Sequence, residues 1–150
     1  MRQNIQNNNF SECVAIVPPV GASVQAAAAG AKTFTVPRNQ MWKVTFLQAI
    51  ITSSAVVGNR QVALQVKDAS GTTLLDLVAG AVQAASLART YNFLQAAQRE
   101  TAFVGNALQA TLPADLYLAP GYSLKVYDSA NIDAAGDTLA ATMQFENYNI

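Results

Sequence analysis

The chain has 150 residues, which suits a single domain with one hydrophobic core. Charged residues make up only 12% of it, about half of their usual share in soluble domains. Nine basic residues balance nine acidic ones without forming a basic stripe, which argues against nucleic-acid binding through phosphate contacts. A surface of uncharged polar groups and small methyl groups favours burial against a protein partner.

The start of the chain is predicted to be a flexible polar arm, residues 1–12, ahead of a single domain at 13–150. Its many Asn and Gln amides leave two interpretations open, a disordered terminus or an arm that becomes ordered on a neighbouring subunit. The start has no apolar segment typical of a secretory signal. Pro and Gly interrupt the uncharged run at 13–31, so no membrane helix is predicted.

Cys13 is the only cysteine, so an intramolecular disulfide is excluded, which fits folding in a reducing cytosol. It lies in the apolar run 13–17 beside Glu12, and no neighbouring cation would activate it as a nucleophile. The sequence therefore predicts a buried and inert thiol.

Short segments that alternate apolar and polar residues, and that end at Pro or Gly, predict β-strands in the first third of the chain. The predicted strands are 13–17, 23–29, 32–36 and 41–52. The residues expected on one face of the last of these are Trp42, Val44, Phe46 and Ile50. Leu47 and Ile51 fall on its other face, so both sides of this strand are expected to be covered over part of its length.

A β-hairpin is predicted at residues 60–78, after a Gly-Asn turn at 58–59. Val62, Leu64 and Val66 alternate with polar residues and are expected to point inward. The tight-turn sequence Asp-Ala-Ser-Gly at 68–71 leads into the partner strand, 72–78.

The middle of the chain is less regular. Residues 79–90 are compatible with a short helix or with an extended loop of small residues. A strand is predicted at 88–96, with Tyr91 and Phe93 on one face, and at least part of a strand within 102–113.

The C-terminal third predicts two strand segments at 115–128 around Pro120-Gly121, a pair that suits a type II turn. The last strand, 137–146, should point Leu139, Ala141, Met143 and Phe145 inward. In total, eight to ten strands with turn signals about every ten residues predict an all-β fold, an antiparallel β-sandwich or barrel. The long middle connections favour a Greek-key or jelly-roll topology over a meander.

Catalytic chemistry has few candidates, and the chain is predicted not to be an enzyme and to need no cofactor. The absence of histidine removes the commonest general base and most zinc sites. No nucleotide-binding glycine-rich motif or nucleophile elbow is present. The carboxylates that could form a catalytic pair mostly fall at turns or strand ends: Asp68, Asp76, Glu100, Asp115, Asp128, Asp133, Asp137 and Glu146.

One acidic stretch, YDSANIDAAGD at 127–137, could form an irregular cation site from Asp128, Asn131, Asp133 and Asp137. The spacing does not match a calcium-binding helix-loop-helix, which needs Gly at its sixth position and Glu at its twelfth. The better-supported interpretation is a long turn capped by Asp and Asn, with Gly136 at a position of positive φ. No metal site is therefore predicted.

The string LYLAPGYSLKVYDSANIDAAGDTLAATMQFE, residues 116–146, resembles the C-terminal part of small virion proteins of tailed bacteriophages, the capsid decoration (cement) proteins and related head proteins. The matching elements are Leu-x-Pro-Gly at 118–121, the strand 124–128, Ile-Asp at 132–133 and Gly-Asp at 136–137. Upstream turn and strand elements extend the resemblance to about residues 32–146. It is a pattern of turns and strands and not a catalytic signature.

The resemblance implies a jelly-roll-like sandwich that binds the outside of an icosahedral capsid and bridges neighbouring major capsid protein subunits. It implies a virion location on the capsid exterior after synthesis in the host bacterial cytoplasm. The expected partners are the major capsid protein and further copies of the chain, as a homodimer or homotrimer, and not nucleic acid or membrane.

Two alternatives stay open. One is another phage structural component, such as a tail, neck adaptor or fibre-base protein. The other is a carbohydrate-binding jelly-roll module with an exposed aromatic platform, for which the candidates are Tyr91, Tyr117, Tyr122 and Tyr127.

Overall fold

The computed structural model describes residues 20–150, so the predicted arm, the strand at 13–17 and Cys13 lie outside the described residues. This part of the chain contains no helix and is built from ten strands. They are Val20–Ala28 (β1), Lys32–Thr35 (β2), Gln40–Thr52 (β3), Val62–Lys67 (β4), Thr73–Val78 (β5), Ala88–Gln95 (β6), Ala107–Leu112 (β7), Tyr117–Leu118 (β8), Ser123–Asp128 (β9) and Thr138–Asn149 (β10).

The strands form two mostly antiparallel sheets, which confirms the all-β prediction and is consistent with a β-sandwich. Sheet A has the order β1-β10-β3-β6-β7, and the short β8 also pairs with β3. Sheet B has the order β2-β9-β4-β5. Several consecutive strands therefore lie in different sheets, an arrangement compatible with the predicted jelly roll, which stays a prediction.

One pair departs from the antiparallel expectation, because β7 runs parallel to β6. A parallel neighbour needs a long crossover connection, and residues 96–106 supply it. This connection also lies along the free side of β7, where the Glu100 amide donates to the Gln109 carbonyl over 3.0 Å.

The core lies between the sheets and confirms the predicted alternation in β4 and β10. Val62, Leu64 and Val66 point inward from β4, and Tyr91 and Phe93 from β6. The inward residues of β10 are the predicted ones, Leu139, Ala141, Met143 and Phe145.

A β-bulge in β3 overturns the predicted faces of that strand. Phe46 lies opposite Gln144 while Val44 lies opposite Phe145, so Thr45 is one extra residue on β3. An extra residue reverses the side on which the following residues point. Trp42 and Val44 face the core as predicted, but beyond the bulge the buried residues are Leu47, Ala49 and Ile51. The prediction was therefore wrong for Phe46, which is half-buried, and for Ile50, which is 37% exposed.

The predicted turns at 68–71 and at Pro120-Gly121 are present. The Tyr122 amide donates to the Ala119 carbonyl over 3.0 Å, and Gly121 has φ +78°, as a type II turn requires. In the β4–β5 hairpin, Asp68 accepts hydrogen bonds from the amides of Ser70 and Thr72.

Residues 79–87 form an extended segment, so the loop interpretation is confirmed over the helical one. Their backbone forms an isolated bridge between Gln83 and Arg60, with both hydrogen bonds within 2.9 Å. The small residues around Gln83 let this segment pass close to the end of the sandwich.

Trp42→Ala should be strongly destabilising. The indole is 7% exposed and stacks on Phe145 with ring centroids 4.1 Å apart. Removing such a ring leaves a cavity and should cost about 3–5 kcal/mol of unfolding free energy in denaturant titration. Val57→Ala, at a side chain that is 91% exposed, is the control and should change stability by less than about 0.5 kcal/mol. A Trp42→Ala protein with the parent's denaturation midpoint would place the indole outside the core.

Candidate functional site

The acidic stretch at 127–137 connects β9 to β10 and ends in a buried ion pair. Asp137 accepts hydrogen bonds from Arg60 Nε at 2.8 Å and from Arg60 Nη2 at 3.1 Å, a bidentate arrangement. The Arg60 side chain is fully buried, and that of Asp137 is 11% exposed. This pair joins the β3–β4 connection to the β9–β10 connection, both of which pass between the sheets.

The Arg60 guanidinium has a partner for every N–H. Nη1 donates to the carbonyls of Val56 and Gly58, each at 2.7 Å, and Nη2 also donates to Ser54 Oγ at 3.2 Å. These bonds and the Asp137 charge raise the pKa of Arg60, the hydrogen bond to Asp137 contributing most. A cation that is matched this completely has no donor left for a substrate.

Asp133 joins the group formed by Arg60, Asp137 and Ser54, because it contacts Ser54. One of its carboxylate oxygens accepts from Ser54 Oγ at 2.8 Å, and the other accepts from the Gly136 amide at 3.0 Å. These bonds, led by that from Ser54, lower the pKa of Asp133.

Gly136 is needed for a different reason from the predicted one. Its φ is not in the positive range, and the residue that takes the left-handed conformation is Asn131, with φ 50°. A Cβ at Gly136 would instead collide with the Asp133 carboxylate and meet Ser54 Cβ at 3.1 Å. Glycine is therefore required here by close packing.

Asp128 begins the loop and caps two backbone amides. Its Oδ1 accepts from Gln61 N at 2.9 Å and from Ala130 N at 3.1 Å. Within residues 20–150, no group of three or more carboxylates is arranged to hold a metal ion. Asp128, Asp133 and Asp137 serve as turn caps and as the partner of Arg60, and this supports the turn interpretation of the stretch.

A second polar cluster adjoins the first and was not predicted. Gln83 is 1% exposed, and its Nε2 lies 3.2 Å from Ser53 Oγ and 3.1 Å from the Leu87 carbonyl. Tyr91 donates from its hydroxyl to Gln83 Oε1 at 3.2 Å. Burial, and then the charge of Asp128, raise the pKa of Tyr91. Because Tyr91 is fully buried, its prediction as an exposed aromatic platform was wrong.

The remaining candidate carboxylates lie apart, each beside its own partner. Glu100 accepts from the Gln109 amide, and Asp115 pairs with Lys43 at 3.2 Å. The other contacts are those of Asp68 with the hairpin turn, Asp76 with Gln65 and Tyr127, and Glu146 with Tyr148. These carboxylates of residues 20–150 therefore lie at separate places and do not pair with one another.

Four rows on the outward face of sheet A carry no charged residue, and we call them the uncharged face. Residues directly opposite in a sheet point to the same side, so the pairing registers define rows that run across the strands. The four rows are Ala22-Gln144-Phe46-Leu94-Thr111, Val24-Thr142-Gln48-Asn92-Gln109, Ala140-Ile50-Thr90-Ala107 and Thr138-Thr52-Ala88. None of these residues is charged, and Glu146 and Lys43 lie just beyond the first row.

The outward face of sheet B has the opposite character. Its central row is Thr33-Lys125-Gln65-Asp76, and the next row carries Lys67. Lys125 Nζ lies 4.8 Å from the Tyr127 ring centroid, and the Tyr127 hydroxyl donates to Asp76 at 3.3 Å. The two outer faces thus differ in charge: sheet B resembles an ordinary solvated surface, and sheet A does not.

The alternation at 137–146 predicted which side chains of the last strand point inward, but not that the neighbours of its outward side chains across sheet A are mostly uncharged. The order and register of the strands had to be known first. The low charge content of the chain was the signal available in the sequence.

The sequence matches no protein-family model, and no curated protein matches it. The part of the chain from Val20 to Ile150 contains no helix that could cross a membrane.

Acid should destabilise the protein through the carboxylates at Arg60 and Ser54. Burial alone would raise the pKa of Asp137, but the hydrogen bonds from Arg60 and from the Ser54 amide outweigh it and lower that pKa. A lowered folded-state pKa stabilises the protein above the unfolded value of about 3.9 and ceases to do so as the pH falls through the folded value. Thermal melts from neutral to strongly acidic pH should therefore show a melting temperature that falls below about pH 4.

Asp137→Asn should flatten this acid dependence and lower the melting temperature at pH 7 by about 10 °C, because it leaves Arg60 buried without a counter-charge. The double variant Arg60→Met/Asp137→Asn is the matched control and should recover part of the loss. The pair does not connect the two loops if the double variant loses as much stability as the two single substitutions added together. The same conclusion follows if the melting temperature of Asp137→Asn depends on acid pH as steeply as that of the parent.

Calcium should not stabilise the protein. The oxygens of Asp133 and Asp137 already accept internal hydrogen bonds, and binding an ion would require breaking them. We expect the same melting temperature with excess calcium and with chelator. A rise in the melting temperature with calcium that Asp133→Asn abolishes would show that the acidic stretch does bind a cation.

Proposed function

We propose that the chain is a structural virion protein of a tailed bacteriophage, a decoration (cement) protein that binds the outer capsid surface and bridges and stabilises major capsid protein subunits. The observation that supports this best is the contrast between the uncharged face of sheet A and the charged outer face of sheet B. Interfaces are depleted in charged residues at their centres, whereas solvated sheet faces are not.

Desolvation favours uncharged side chains at a protein interface. Burying an ion without a partner is expensive, whereas amide and hydroxyl groups can exchange water for hydrogen bonds with a partner. Phe46, Leu94 and Ile50 supply apolar area among such groups on the central strands. This mixture favours contact with another folded protein surface over contact with a lipid or a charged polymer.

The size of the uncharged face suits weak contacts that occur many times. From strand spacings of about 4.8 Å and rises of about 3.3 Å per residue, its area is roughly 500 Å². A stable interface buries about 800 Å² per partner, so one such contact would be weak. A capsid lattice presents many equivalent sites, and linked contacts gain affinity from effective concentration. Binding only the assembled shell would also stabilise that shell by mass action.

The interior supports a mechanical role. The Arg60 and Gln83 clusters have internal partners and tie together connections between the sheets, so the polar groups at this end of the sandwich maintain its shape. A rigid sheet presents a defined surface at little entropic cost on binding. In the proposed role, the protein binds through a rigid, preformed sheet surface and does not act as a catalyst.

Charge placed on the uncharged face should abolish attachment. Gln48 on β3 and Gln65 on β4 form a matched pair, since each is half-buried on the outer side of an inner strand and donates to a neighbouring side chain, Asn92 or Asp76. Gln48→Lys should weaken co-sedimentation with capsids from the same genome by about tenfold or more, because it would bury an ammonium group. Gln65→Lys should bind like the parent. Equal binding by both variants, or loss in Gln65→Lys alone, would contradict the proposal.

Copy number separates this proposal from the alternative of a tail, neck or fibre-base protein. Quantitative mass spectrometry of purified virions should find hundreds of copies for a shell component, since closed shells repeat each site many times. A dozen copies or fewer would favour the tail or neck alternative.

A further inference from the structure

β1 forms one edge of sheet A. β1 runs from Val20 to Ala28 and pairs with β10 on one side, and no strand among residues 20–150 pairs with its other side. No charged residue occurs from Val20 to Ala31. An open edge presents unpaired backbone N–H and C=O groups and is a template for pairing with another chain.

The other three sheet edges are protected by devices that monomeric proteins commonly use. β2 has only four residues and places Lys32, 8% exposed, on its inward side. β5 carries Asp76 at its middle and pairs with β4 through a bulge. β7 is covered by the preceding connection, where Thr111 Oγ1 donates to the Ala97 carbonyl at 2.6 Å. Within the described chain, β1 alone lacks such protection.

In β1 the larger apolar side chains point outward and the small residues point toward the core, the opposite of the usual arrangement in an edge strand. Val20 and Val24 point away from the core and are 72% and 70% exposed, whereas Gly21 and Ser23 point inward. The inward side accepts only small groups near Gly21, because the Phe145 ring occupies the space that a Cβ would take. The outward side chains of β1 therefore carry no charge that would oppose pairing with another strand at this edge.

We propose that β1 pairs antiparallel with β1 of a second copy across a twofold axis, joining two A sheets into one continuous sheet. An antiparallel pair of identical strands is self-complementary, as a twofold interface requires. The strand has no charge, and the whole chain carries nine positive and nine negative charges, so net charge does not oppose self-association. The longest unbroken register of β1, Val20 to Gln25, is free of bulges and suited to such pairing.

This dimer would extend the proposed function without depending on it. Pairing at β1 would place the uncharged faces of two copies side by side and form a surface of roughly 1,000 Å². Dimerisation can be measured without capsids, so a failure of capsid binding and a failure of this inference are distinguishable.

The test is the mass of the full-length protein in solution, from sedimentation equilibrium. The parent should form a dimer of twice 15.8 kDa, with a melting temperature that rises with concentration. With the twofold at Ala22, an exposed residue within the unbroken register, Ala22→Lys and Ala22→Glu should each be monomeric, because like charges would meet there, and a mixture of the two should regain heterodimers. Leu74→Lys, on a 54% exposed residue of β5, is the control and should stay dimeric.

Rescue in the mixture would distinguish pairing at this strand from a variant that has merely misfolded. Three results would overturn the inference: a parent that stays monomeric at about 100 μM, a trimer, or a dimer that both charged variants retain. A monomeric parent with slowly exchanging β1 amides would show that another segment of the same chain covers this edge.

Discussion

The buried ion pair between Arg60 and Asp137 is the interaction on which the rest of the structure depends. It joins two connections that pass between the sheets, and Asp137 lies directly before β10, the strand that pairs with both β1 and β3. A buried pair of this kind is weak evidence of net stabilisation, but removing one partner leaves a costly charge. In a chain with so few charges, an arginine with every N–H satisfied makes one arrangement of the connections strongly preferred.

That arrangement has consequences at the surface. With the β9–β10 connection held in place, the register of β10 against β3 aligns uncharged residues across the outside of sheet A. The bulge at Thr45 adds to this, because it turns Phe46 and Ile50 outward where strict alternation would have buried them. On the outer face of sheet B, the charged residues Lys125, Asp76 and Lys67 lie in neighbouring rows. On sheet A, Lys43 and Glu146 lie beyond the four uncharged rows, so the molecule has one face suited to a protein partner and one suited to water.

Much of the fold follows from local pattern, since β4, the hairpin, the Pro120-Gly121 turn and the inward face of β10 were all predictable from alternation and turn chemistry. The bulge in β3 was not, because an extra residue is defined only against the partner strand. The role of Arg60 was equally hidden: it follows a Gly-Asn turn, and only the fold brings it to Asp137, 77 residues away. The uncharged face could not be predicted without the register of five strands. The sequence alone showed only that charged residues are scarce.

The central claim is that sheet A faces a protein partner and sheet B faces solvent. It can be tested most directly with a cryo-electron microscopy map of the virion at a resolution that separates the two sheets. We expect density for this chain on the outside of the shell, with the rows through Phe46 and Gln48 against the major capsid protein and with Lys125 and Asp76 facing solvent. Density in which sheet B contacts the shell, or a shell without this chain, would contradict it.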